Sequence, residues 1–271
     1  MKKILALLMA ATLSCALLAG CGGDTTADDT NNTDPVDEAS LTYAVETGSA
    51  GEAAAKELGY TYNSVTSQAD ALMEVASGTS DAAIIDLLMA GAMIGEGTSY
   101  PNLKHTTELT TEDYGVGCRV GSDLTEFIND FFAVAYADGT MQEIAKQYGV
   151  QEALVEQDEP AGFEAAADGD VAYIQDKGTL IVGITEFAPM DYQDENGEWI
   201  GFDADMAKLV AEKLGVEVKF VIIDWDTKSM ELDSKNIDVV WNGMTITDET
   251  KNAMNCTVPY CHNAQVVVVP A

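Results

Sequence analysis

Gly201-Phe202-Asp203-Ala204-Asp205-Met206-Ala207-Lys208-Leu209-Val210-Ala211-Glu212-Lys213-Leu214-Gly215 decides the fold. It reads as a helix over residues 202–214, stopped by Gly215 in the position where a left-handed cap ends a helix. A strand is expected immediately after it, at 216–223, and another before it, at 180–184. Further on, a helix at 229–232, a strand at 238–241, a helix at 248–254 and a strand at 265–269 continue the alternation. Strands separated by single helices imply mostly parallel sheets with helices on both faces.

The front of the chain alternates in the same way. Strands are expected at 43–46, 60–65, 82–85, 103–108 and 114–120, and helices at 49–58, 69–76, 87–94, 124–137 and 141–147. An acidic stretch at 157–169, interrupted by Pro160, reads as a connector. Ala55-Lys56-Glu57-Leu58-Gly59 and Ala211-Glu212-Lys213-Leu214-Gly215 close two helices alike, a weak internal echo of two related lobes.

The first twenty residues form a targeting segment: Lys2 and Lys3, then an apolar run over 4–18. Leu18-Ala19-Gly20-Cys21 resembles a bacterial lipoprotein cleavage box, which makes Cys21 the lipidation site. Residues 21–40 are nearly devoid of apolar side chains and read as a solvated tether. The chain is 271 residues long with a formal charge of −33, and removal of Lys2 and Lys3 leaves 11 basic against 46 acidic residues. Such a surface repels phosphate backbones and excludes nucleic acid as a partner. His105 and His262 are far apart, no Cys/His cluster has metal-ligand spacing, and neither a metal nor a cofactor is expected. Cys256 and Cys261 are equally compatible with a disulfide or with free thiols.

From Lys177 onward the sequence resembles the bacterial extracellular solute-binding proteins of family 3, the amino-acid-binding components of ABC importers. Lys177-Gly178-Thr179-Leu180-Ile181-Val182-Gly183-Ile184 is similar to that family's first strand, Phe187-Ala188-Pro189-Met190 to its ligand-facing turn, and Asn242-Gly243-Met244-Thr245-Ile246-Thr247 to its ligand loop. The second lobe resembles residues at the front instead: Tyr43-Ala44-Val45-Glu46-Thr47-Gly48-Ser49-Ala50-Gly51-Glu52 its first strand and turn, and Ser80-Asp81-Ala82-Ala83-Ile84-Ile85-Asp86 its ligand strand. The resemblance implies a two-lobed α/β fold of the type II periplasmic-binding-protein kind in circularly permuted order. Lobe 2 is expected at 41–111, an interlobe crossing at 112–120, closing helices of lobe 1 at 121–156, a permutation linker at 157–175, and lobe 1 at 176–271. One covalent crossing is then expected to survive, with Leu41 and Ala271 near each other beside residues 114–120.

By the same resemblance Asp86 takes a ligand ammonium, and the amides of Gly48, Ser49 and Ala50 take a carboxylate. Glu46 reads the ligand side chain, favouring a cationic or polar one. Phe187 and Trp225 sandwich the ligand, and Asn242, Gly243 and Thr245 bond it. Thr250 stands where the family usually places a carboxylate-binding arginine; Lys251, Arg119 or backbone amides are the candidate substitutes. The implied function is capture of a small amino acid by a monomeric, lipid-anchored extracytoplasmic protein that passes it to an ABC permease, with no catalytic residue. The competing readings are a dehydratase similar to cyclohexadienyl dehydratases, with Glu186 as acid or base, and a ligand-sensing or adhesive surface lipoprotein.

Overall fold

The computed structural model describes residues 38–271, so the expected signal segment, Cys21 and most of the expected tether lie outside the described residues. The last three tether residues, Glu38–Ser40, form a turn of 3-10 helix held to the domain by the Tyr43 hydroxyl, which donates to the Glu38 carbonyl at 2.9 Å.

In chain order the strands and helices are β1 (Thr42–Glu46), α1 (Ala50–Leu58), β2 (Thr61–Val65), α2 (Gln68–Ser77), β3 (Ala82–Asp86), α3 (Leu87–Met93), β4 (Leu103–Cys118), α4 (Leu124–Ala137), α5 (Thr140–Gln147), α6 (Asp170–Lys177), β5 (Thr179–Ile184), β6 (Tyr192–Gln193), β7 (Trp199–Ile200), α7 (Phe202–Leu214), β8 (Glu217–Ile222), α8 (Lys228–Asp233), β9 (Val239–Thr245), α9 (Asp248–Ala253), β10 (Asn255–Cys256) and β11 (Cys261–Pro270). Most of the sheet follows the path β2-β1-β3-β11-β4-β9-β5-β8, with β10 attached to β4. Strands within each lobe are parallel: β1 with β2 and β3, and β5 with β8 and β9. The strands between the lobes, β11 and β4, are antiparallel to their neighbours. The protein has the two-lobed type II periplasmic-binding-protein-like α/β fold.

Three boundaries differ from the sequence reading. The strands expected at 103–108 and 114–120 are one strand, β4, sixteen residues long. Residues 109–113 contain no glycine or proline to break it, and they pair along β11. The last third of the expected linker, from Asp170 on, is helical as α6, because Val171 and Ile174, one helical turn apart, bury at 2% and 0% exposure. Finally, β11 starts in lobe 1, where Cys261 pairs with Tyr114, and ends in lobe 2, where Val266, Val267 and Val268 pair with β3. The lobes are therefore joined by two covalent crossings, β4 and β11, rather than one.

Leu41 and Val269 pack on one apolar cluster with Tyr43, Ile84 and Val267, and the Ala271 amide donates to the Asn102 carbonyl at 2.8 Å. Both ends of the folded body thus pack on one cluster, but beside the start of β4 within lobe 2, eleven residues along the strand from Tyr114.

Cys118, Cys256 and Cys261 are free thiols. His105 and His262 are exposed, and His262 Nδ1 lies 2.7 Å from an Asp113 carboxylate oxygen. Among the described residues no cluster of His, Cys, Asp and Glu has the arrangement of a metal site, and no helix is long and apolar enough to cross a membrane.

Candidate ligand-binding cleft

Adjacent parallel strands deliver their C-terminal residues to one edge of a sheet, which is where open α/β sheets place ligands. In lobe 2 that edge carries Glu46, the last residue of β1, and Asp86, the last residue of its neighbour β3. In lobe 1 it carries Thr185 and Phe187, just past β5, and residues 242–245 at the end of β9. The two edges face each other across a cavity of about 230 Å³. Its walls include Glu46, Gly48, Ser49, Ala50, Asp86, Phe187, Trp225, Asn242, Gly243 and Thr245, ten of the eleven site residues expected from sequence. Glu186 is the exception: it is exposed and does not line the cavity.

Gln68, Thr185, Asp226, Lys228, Thr247, Glu249 and Thr250 line it as well. Of these only Thr250 was singled out by the sequence. Gln68 and Lys228 carry no local signal, since each sits on the first turn of an ordinary helix.

Asp86 is buried at 4% exposure and ringed by donors. Its Oδ1 accepts from the Tyr114 hydroxyl at 2.7 Å and the Gln265 amide at 2.9 Å, and also from the Asn263 amide. Its Oδ2 accepts from the Gln68 amide and has capacity for one more donor. Burial, with the Glu112 carboxylate next in importance, holds the Asp86 carboxyl well above its ordinary range. Asn263 and Gln265 donate to both Asp86 and Glu112, so two residues of β11 tie the β3 carboxylate to the β4 one. Asp86, at the end of β3, is therefore hydrogen-bonded to both strands that run between the lobes.

Glu46 is 2% exposed, and its Oε1 is buried without a hydrogen-bond partner. Burial pushes its carboxyl up to about 8, opposed by the nearby Lys228 charge and a hydrogen bond from Gln68. A buried carboxylate with an open oxygen favours a cationic or donating group brought in by a ligand.

The opposite wall is aromatic. Phe187 meets the Tyr114 ring edge-on with centroids 6.3 Å apart, and Trp225 lies beneath the Lys228 ammonium, 4.9 Å from its centroid. The lobes come close here: a Cβ on Gly48 would sit 2.6 Å from the Asp226 Cα, and Gly48 has φ of +73°. A side chain at position 48 is therefore incompatible with this approach.

The groups expected to hold the far end of a ligand are largely committed. The Asn242 side-chain amide receives the Thr185 N–H at 2.9 Å and donates to the Thr185 carbonyl at 3.0 Å and to Asp191 at 2.8 Å. It fixes the loop and has no donor left over. The Gly243 N–H donates to Asp203 at 2.7 Å, the Gly48 N–H to Glu52 at 2.9 Å, and the Ser49 N–H to the Glu46 carbonyl at 3.2 Å. Thr250 is engaged in a capping box with Thr247. Arg119 is bound to Asp170 at 3.0 Å and Asp238 at 3.3 Å and does not line the cavity; Lys251 is exposed and outside it. Neither substitutes for the usual arginine.

The C-terminal part of the chain, with its strand–helix–strand order and its loop at 242–245, matches a known family at residues 180–271: the bacterial extracellular solute-binding proteins, family 3. The match covers about a third of the chain. The chain is similar to the L-cystine-binding protein TcyJ of Escherichia coli (strain K12), 38% identical over 96 residues that make up 35% of this chain and 36% of that protein. The cyclohexadienyl dehydratase of Pseudomonas aeruginosa is 28% identical over 96 residues, again 35% of this chain and 36% of that protein. Among solved structures, the ancestral cationic amino acid solute binding protein AncCDT-1 is 41% identical over 31% of this chain and 37% of its own, with a TM-score of 0.30. The chain thus matches little more than a third of the length of these relatives.

Proposed function

We propose that this family 3 protein is an extracytoplasmic solute-binding lipoprotein that closes its lobes on one amino acid and passes it to an ABC importer. The observation that carries the reading is the pair of buried carboxylates, Asp86 and Glu46, on one wall of a cavity whose other wall is aromatic. Asp86 takes the α-ammonium through its remaining acceptor site, a charge-assisted bond of about 1.5–3 kcal/mol. Glu46 takes a cationic or polar side chain, and Phe187 and Trp225 cover its apolar stem. Residues 41–111 supply the second lobe in permuted order, Cys21 carries the lipid anchor, and the protein works as a monomer.

Binding rather than turnover is favoured because Glu186, the acid on which a dehydratase reading rests, lies outside the cavity. A thermal-shift screen of the common amino acids with cystine and ornithine tests the proposal. One or a few amino acids should raise the melting temperature by several degrees at a hundredfold excess over Kd, equivalent to about 2.7 kcal/mol. No shift with any of them, or conversion of prephenate to product, would overturn it.

A further inference from the structure

We propose that Lys228 is the cation that holds the carboxylate of the bound amino acid, in place of the arginine that Thr250 has displaced; this deepens the proposed function and rests on it. Of the Gly48, Ser49 and Ala50 amides expected as carboxylate donors, those of Gly48 and Ser49 have a partner inside the protein, as does the Gly243 N–H of the facing loop. Glu52 occupies the start of α1 with its own carboxylate, bonded to the Gly48 N–H and to the Ser64 hydroxyl, and so a second anion there is opposed. Arg119 and Lys251 do not line the cavity, and Lys228 is the one Lys or Arg among the residues that do.

The Lys228 ammonium is fixed rather than mobile. It donates to the Trp225 carbonyl at 2.9 Å in lobe 1 and to the Gly48 carbonyl at 3.1 Å in lobe 2, and it lies over the Trp225 ring. Among the described residues it forms no ion pair within 4.0 Å. Two carbonyls and a ring face use two of its three protons and supply no full negative charge. The half-buried ammonium feels the carboxylates of Glu46, Glu249 and Asp226 without an ion pair within 4.0 Å to any of them, and a carboxylate entering the cavity supplies that direct pair through the third proton. Because Nζ already bridges Gly48 and Trp225, the same contact couples occupancy of the cavity to the closed arrangement of the lobes.

The acidic residues of the opposite wall fit this polarity. Asp86 and Glu46 lie in lobe 2, Lys228 in lobe 1, and a zwitterion with a donating side chain satisfies all three across the gap.

Calorimetry with two matched pairs, L-arginine with L-argininamide and L-glutamine with L-glutaminamide, reads the contact directly. The wild-type protein should bind at least one free acid, and bind it at least tenfold more tightly than its amide. In Lys228→Met, which retains the stem over Trp225, that acid should lose at least tenfold while the amide changes less than threefold. Equal affinity of wild type for acid and amide, binding of neither acid, or equal losses for both in the variant would overturn the carboxylate role; equal losses would leave Lys228 a strut between lobes. The wild-type comparison holds whether or not the variant folds. Failure of the proposed function is separate: it appears as no response to any amino acid in the thermal-shift screen.

Discussion

Asp203, on the first turn of α7, accepts the backbone N–H of Gly243 at 2.7 Å, so the helix most recognisable in the sequence holds the loop that faces the cavity. The same oxygen accepts the Tyr260 hydroxyl at 2.7 Å. Asp191, beside it, holds the same loop through the Asn242 amide at 2.8 Å. Burial pushes the Asp203 carboxyl up to about 7, and burial together with Asp203 raises Asp191 well above its ordinary range.

Stability should therefore fall as pH rises toward neutrality. The unfolded chain releases these protons near pH 4, whereas Asp203 retains its proton to about 7 and Glu46 to about 8. Raised carboxyls contribute fully below the unfolded value, and the contribution is lost as pH passes through the folded one. The melting temperature of the ligand-free protein should drop between pH 5 and pH 8. Asp203→Asn should flatten that slope; an unchanged slope would assign it to other groups.

Gly243 should not tolerate a side chain. Its φ is +57°, and a Cβ there would lie 2.4 Å from Cε1 of Phe187 and 3.1 Å from the Tyr114 ring. Gly243→Ala adds left-handed strain of about 1–2 kcal/mol and pushes Phe187 into the cavity. At least tenfold weaker amino-acid binding is expected with a lower melting temperature. Wild-type affinity in this variant would show that Phe187 is not fixed by the loop.

Glu46 should set the preference for a cationic side chain. Its buried Oε1 has no partner, and an amide in its place retains the shape without the charge. Glu46→Gln should lower the ratio of arginine to glutamine affinity at least tenfold, measured by competition calorimetry, and should raise stability at pH 8 by removing a buried ionisable group. An unchanged ratio would place the ligand side chain elsewhere.

Much of this cleft was legible because parallel strands send their last residues to a common edge. Asp86 follows from a strand end; Glu46, Phe187 and Asn242–Gly243 came through the family resemblance, and each stands at or just past a strand end as well. What the sequence did not carry depends on contact between lobes or on competition for donors. Lys228 has no motif and becomes visible only when Gly48 arrives from 180 residues away. The Asn242 amide was expected to face a ligand, yet Thr185 and Asp191 use it completely. The crossing strands were misread for a related reason. β4 looks like two strands because its middle is polar, and β11 continues into lobe 2 because its valines find β3.

Asp86 is the residue on which the account turns, and calorimetry of Asp86→Asn tests it most directly. The carboxyl is raised well above its ordinary range, so an uncharged isostere should leave the fold and its circular dichroism unchanged. The amino acid that shifts the wild-type melting temperature should bind the variant at least tenfold more weakly. Wild-type affinity in a folded Asp86→Asn protein would contradict the assignment of the ammonium to Asp86, and with it the proposed orientation of the ligand between the lobes.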